Sequence, residues 1–117
     1  MSMTRSAVDE SLVIARVHDE LPISTSATTS RTVVSNDAVR VVAFAMDSGQ
    51  ELTDHSAPRP VVVQVTEGEL MFTVAGESHE LVAGDVVYLA PDARHAVVAR
   101  TPCRFVLHMS MLAPVSP

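Results

Sequence analysis

The sequence predicts an all-β chain, a closed arrangement of short antiparallel strands, and three observations carry that expectation. Apolar residues make up 47% of it, yet it holds only three Phe, one Tyr and no Trp, so its core is aliphatic and dominated by Val. Valine is stiff at its first side-chain torsion and packs well on a pleated surface. Secondly, its four glycines (Gly49, Gly68, Gly76 and Gly84) all stand in turn-like contexts, the last three spaced eight residues apart. Thirdly, short apolar runs fill the intervals between these turns, the pattern of hairpins in a sandwich or barrel. At 117 residues the chain fits one domain with one substantial core.

In chain order, residues 1–30 read as an N-terminal strand and a linker. Leu12-Val13-Ile14 is taken as the start of a strand, although Val8, Leu12 and Ala15 lie near helical spacing. Residues 22–30 are polar and short-chained and read as a loop. The barrel follows over 31–112, with strands expected at 31–35, 38–46, 61–67, 69–75, 78–82, 85–90, 95–100 and 103–112. Pro58 and Pro60 interrupt the chain before the third of these runs, and Pro91 and Pro102 punctuate later ones. Eight strands of this length fill a jelly roll, two antiparallel sheets face to face. The tail, 113–117, holds two prolines and is expected to fray.

Charge excludes several classes of partner. The net charge is −6, Lys is absent and the eight Arg are scattered, so neither nucleic acid nor an anionic membrane surface is expected as a partner. Cys103 is the only cysteine and lies in a strand-like run, which makes it a small buried hydrophobe and not one half of a disulfide. The N-terminus lacks the apolar stretch of a signal peptide, and no window approaches the length of a membrane span. A reducing cytoplasm is the expected location.

Two segments carry a more specific signal. The first runs from Gly49 through Glu51, Asp54 and His55 to Pro58 and continues to Glu67-Gly68-Glu69. The second runs Ala83-Gly84-Asp85-Val86-Val87-Tyr88-Leu89-Ala90-Pro91-Asp92-Ala93-Arg94-His95. In order and in spacing the pair resembles the two motifs of the cupin superfamily, and the resemblance covers 31–112. It implies an RmlC-like double-stranded β-helix and a small stand-alone cupin.

The resemblance also implies where a metal would sit. Metal-bearing cupins take His-x-His and then Glu or Gln from the first motif, and one more His from the second. His55 matches the first ligand and His95 the last, but Ala57 and Val61 occupy the other two places. Zinc, iron and manganese sites need three or four protein ligands, and two imidazoles leave most of the sphere to water. No cofactor is therefore expected at full occupancy, although Zn, Fe, Mn or Ni can bind weakly. Gln64 alternates to the face opposite Val61 and offers no replacement. His108, on the last strand, is the remaining candidate for a third ligand. His18 and His79 read as surface residues, and Met46 as core filler.

A second reading makes His55 and His95 hydrogen-bonding groups in a ligand pocket walled by Val63, Val65 and Val97. The missing donors weigh towards this reading, for a small, partly apolar ligand with one polar or anionic end. It describes a non-enzymatic binding or sensing module. The alternatives are a metal-dependent dioxygenase or isomerase that completes its site with His108, water or substrate, and a dimeric scaffold. No Gly-rich phosphate loop or nucleophile elbow is present, and paired carboxylates such as Asp9-Glu10 read as solvated. A homodimer is expected from Met71, which alternation turns outward, and from an N-terminal strand able to pair with a neighbour's sheet edge.

Overall fold

The computed structural model of the chain describes residues 5–112. These described residues form nine strands: β1 (Thr29–Ser35), β2 (Val39–Met46), β3 (Glu51–His55), β4 (Val61–Glu67), β5 (Glu69–Val74), β6 (Glu77–Val82), β7 (Val86–Leu89), β8 (His95–Ala99) and β9 (Cys103–Ser110). They form a five-stranded sheet, β1-β2-β9-β4-β7, facing a four-stranded sheet, β3-β8-β5-β6, with every pairing antiparallel. This is the double-stranded β-helix expected. Among the described residues no helix is long and apolar enough to cross a membrane.

Alternation along the strands builds the core. On β4, Val61, Val63 and Val65 are buried between the sheets while Val62 and Gln64 face out. Leu70 and Phe72 of β5, Val97 and Ala99 of β8, and Cys103 and Phe105 of β9 close on them from both sides. Phe44 and Phe105, opposite one another on β2 and β9, stack with ring centres 4.9 Å apart and both line the small cavity inside the barrel. Burial pushes the Cys103 thiol up to about 11, which keeps it protonated and unreactive.

Two turns are specified by their backbone conformation. The β5–β6 hairpin turns at Ala75-Gly76, both with positive φ (53° and 77°), as a type I′ turn requires. The β4–β5 turn uses Gly68, at φ +72°, pressed against the β8–β9 turn so closely that a Cβ would lie 2.1 Å from the Pro102 carbonyl oxygen. No side chain fits there.

The N-terminal segment differs from expectation. Leu12-Val13-Ile14 is not a strand, and the only regular element before β1 among the described residues is a 3₁₀ turn, Val17–Glu20. Val13 is 94% exposed, whereas Ile14, Val17 and Ile23 pack with buried Leu21 on Val33, Ala43 and Ala45 of the five-stranded sheet. Ile14 and Val17, three residues apart, could not share a face of an alternating strand, and Pro22 prevents a longer helix. Arg104 secures this strap, its Nη1 donating to Glu67 Oε2 (2.6 Å) and its Nη2 to the Leu21 carbonyl (3.2 Å). Gln50 Nε2 donates to the Ser24 carbonyl (2.8 Å). From Ile14 to Ile23 the segment is thus packed on its own sheet as an irregular strap. The tail expected to fray lies outside the described residues.

Candidate functional site

β3 was not expected as a strand, and it carries His55 at its end. Its pairing with β8 starts regularly, Leu52 opposite Val97, then shifts register so that His55 falls opposite His95. That irregularity brings the two imidazoles together, with ring centres 4.2 Å apart and planes tilted by 56°. Phe72 stacks on the other side of His95, centres 5.8 Å apart and planes within 4°. His55 is exposed at the mouth of the barrel, whereas His95 is only 5% exposed and forms its floor.

The backbone fixes the tautomer of each neutral ring. His55 Nδ1 lies 2.8 Å from the Thr53 carbonyl and His95 Nδ1 lies 3.1 Å from the Ala93 carbonyl. A carbonyl oxygen only accepts, so each Nδ1 donates, and each neutral ring keeps its lone pair on Nε2. Burial holds His95 below the usual imidazole range. The Ala93 hydrogen bond opposes that shift, the neighbouring His55 adds to it, and Asp54 opposes it weakly. His95 is therefore a neutral acceptor at physiological pH.

The cavity beneath the two rings measures about 20 Å³ and is lined by Leu52, Val63, Phe72, Val97, Phe105 and Leu107. That is room for about one water. Of the expected pocket residues, Val63 and Val97 join the histidines there. Val65 does not. It stands two positions further along β4, buried in the core away from the rings. The aromatic and Leu walls escaped the sequence reading, although Phe72 follows outward-turned Met71 and so alternates to the inside.

His108 does not join the pair either. Phe105 and Leu107 line the cavity, so alternation turns His108 outward, opposite Val62 on β4 and Val41 on β2. Ala57 is half-buried against the core and Val61 is fully buried, each presenting only carbon at the place of a ligand. Among the described residues no three His, Cys, Asp or Glu side chains cluster in a way that would hold a metal. The donor set at the mouth is two imidazoles, which does not fit a three- or four-ligand centre. His18 lies 3.5 Å from Glu67 on the strap side, and His79 lies exposed on β6 near Glu77.

Beside the mouth, on the outside of the four-stranded sheet, lies an open groove of about 460 Å³ whose walls include Thr73, Ala75, Ala93 and Ala96. Asp54 and Arg94 pair across it, Arg94 Nε and Nη2 both 2.7 Å from Asp54 Oδ2. Each precedes a site histidine by one residue, so alternation turns it to the opposite face. The loops rimming the mouth are joined by a 2.7 Å bond from the Asp92 N–H to the Ala57 carbonyl.

The cupin domain family matches residues 42–109, and the chain belongs to it. Solved structures agree on the fold. A conserved Streptococcus pyogenes protein of unknown function aligns with a TM-score of 0.78 and 22% identity, over 97% of this chain and 100% of that one. An uncharacterised Klebsiella pneumoniae protein with a double-stranded β-helix domain aligns at 0.76 and 24%, over 86% and 90% of the two chains. KdgF from a Halomonas species aligns at 0.70 and 20%, over 74% and 82%. No curated protein matches the sequence.

Proposed function

We propose that this cupin is a non-enzymatic binding module that takes a small, partly apolar molecule at the barrel mouth by a hydrogen-bond-donating end. One observation carries the reading. Both imidazoles spend their Nδ1 protons on backbone carbonyls, which leaves two Nε2 acceptors beside an apolar cavity. Acceptors in such a setting call for a donor, a hydroxyl or an amine, and a lone carboxylate has none to offer at neutral pH. As pH falls, a protonated imidazole becomes a donor, and anions then gain at the expense of hydroxyl compounds. The cavity of about 20 Å³ admits only the polar end. The body of the ligand lies over exposed His55 towards the Asp54–Arg94 groove.

Isothermal titration with phenols, small alcohols and matching carboxylates, at neutral and mildly acidic pH, tests this. Hydroxyl compounds should bind better at neutral pH and carboxylates should gain on acidification, with both responses lost in His55→Ala and His95→Ala. Binding indifferent to both substitutions would sink the proposal.

A metal-dependent enzyme is the second reading, favoured by one detail. Metal-ligating histidines also donate their second N–H to a carbonyl or carboxylate. Elemental analysis of dialysed protein separates the two readings, since stoichiometric transition metal would move the enzyme ahead.

A further inference from the structure

We infer that the β7 edge of the five-stranded sheet is where two copies of this chain meet, strand against strand about a two-fold axis. Four strand edges are exposed by the topology, and three are protected. β1 carries a bulge between Thr32 and Val34 and is tied at both ends to the N-terminal segment. The Ser6 N–H donates to the Ser35 carbonyl (2.9 Å), and Thr29 Oγ1 donates to the Pro22 carbonyl (2.8 Å). β3 shifts register and carries Glu51 and Asp54. β6 carries Glu77, His79 and Glu80. Bulges, charges and covering chain are the devices that keep sheet edges from pairing.

β7 has none of them. It reads Val86-Val87-Tyr88-Leu89, pairs with β4 without a register shift, and contains no charge and no proline. Val87 and Leu89 turn into the core, while Val86 and Tyr88 point outward, 59% and 63% exposed. Val62 stands opposite Tyr88 on β4, and Val82 precedes the turn into β7. These four are all the exposed large apolar residues found in strands among the described residues; three lie on β7 and its neighbour β4, and Val82 ends β6 just before the turn into β7.

The sequence of β7 suits a second copy of itself. An antiparallel register centred on Val87 sets each Tyr88 opposite the partner's Val86, so an aromatic–β-branched pair forms twice. Outer faces stay on the same side, and Asp85 falls opposite the partner's Leu89, so no like charges meet. Asp85 is also engaged within its own turn, its Oδ2 accepting from the Val82 N–H at 2.8 Å. The strand is only four residues long. The ladder is therefore short, and the contact should be reversible in the micromolar range. This places the dimer contact elsewhere than at Met71, which lies on the outer face of the other sheet opposite Glu80 and Val98.

Tyr88 is the only tyrosine and the chain has no Trp, so its emission reports on this edge alone. Sedimentation equilibrium should give a dimer for the wild type and for Met71→Lys. Tyr88→Lys and Val86→Lys should give monomers with unchanged far-ultraviolet circular dichroism. On dilution of the wild type, acrylamide quenching of Tyr88 should rise in step with dissociation, a readout that needs no variant to fold. A monomeric wild type at high micromolar concentration, a dimer surviving Lys at position 86 or 88, dissociation by Met71→Lys, or quenching indifferent to association would each overturn the inference.

Discussion

Replacing Gly68 by Ala adds a single methyl group, and the structure says what it meets. The position has φ +72°, which costs an L-residue about 1 kcal/mol. The new Cβ would also lie 2.1 Å from the Pro102 carbonyl oxygen and 2.9 Å from Cys103 Cα. Both are backbone atoms of a turn that cannot rotate away, so the two turns must part by about 1 Å. Three hydrogen bonds join them: Glu69 N–H to Thr101 Oγ1 (2.9 Å), Arg100 N–H to the Glu69 carbonyl (3.0 Å) and Thr101 N–H to the same carbonyl (3.2 Å). Losing or stretching these, at about 1 kcal/mol each, brings the total to about 4 kcal/mol. Gly76→Ala is the control, because its φ is +77° but nothing lies within 4 Å of the added Cβ. It should cost about 1 kcal/mol. Urea denaturation of the three proteins measures the difference, and melting should fall by about 4 °C per kcal/mol for a chain of this size. Equal losses for the two variants would show that the β8–β9 turn yields freely and would refute the steric argument.

Other perturbations probe different parts of the molecule. Ala75 holds φ 53° in the β5–β6 turn, so Ala75→Asn, a residue that tolerates this conformation, should stabilise by about 0.5 to 1 kcal/mol in the same assay. Burial lowers the His95 pKa in the native state, so over the interval between the native and unfolded values the unfolded chain binds more protons. Stability is then full above the ordinary imidazole pKa and falls as pH drops towards the native value. His95→Gln should flatten that limb of the stability–pH curve, and an unchanged slope would contradict the assignment. Ala57→His with Val61→Glu supplies the two missing donors. Because Val61 is fully buried, the metal-free double mutant should melt below wild type and recover on adding zinc, iron or manganese, with metal content rising in elemental analysis.

Much of the barrel was legible because its rules are local. Glycines at even spacing marked three turns, of which only the one at Gly76 closes a hairpin while those at Gly68 and Gly84 cross between the sheets, and the alternation Val61-Val62-Val63-Gln64-Val65 set both faces of β4. β3 escaped because Glu51-Leu52-Thr53-Asp54-His55 has one apolar residue and draws its place from β8, not from its own pattern. The N-terminal segment was misread because three apolar residues in a row suit a strand as well as they suit an irregular strap. The histidine pair was legible from motif spacing. The small volume beneath it was not, since Phe44 and Phe105 lie far apart in the chain and meet only when β2 and β9 pair. His108 shows the limit of motif reasoning, because a candidate ligand one residue out of phase is on the wrong side of the sheet.

The position of β9 has a consequence for how the chain acquires its shape. It comes last in chain order among the described strands, yet it is the central strand of its sheet, hydrogen-bonded to β2 on one side and β4 on the other. Until it arrives, β1–β2 and β4–β7 are two fragments with no shared edge, and Phe44 has no ring to stack on. Closure over such sequence separations is slow, and the Val-rich fragments stay exposed meanwhile. Removal of β9 should therefore abolish folding outright, while loss of residues before the strap should leave the barrel able to assemble.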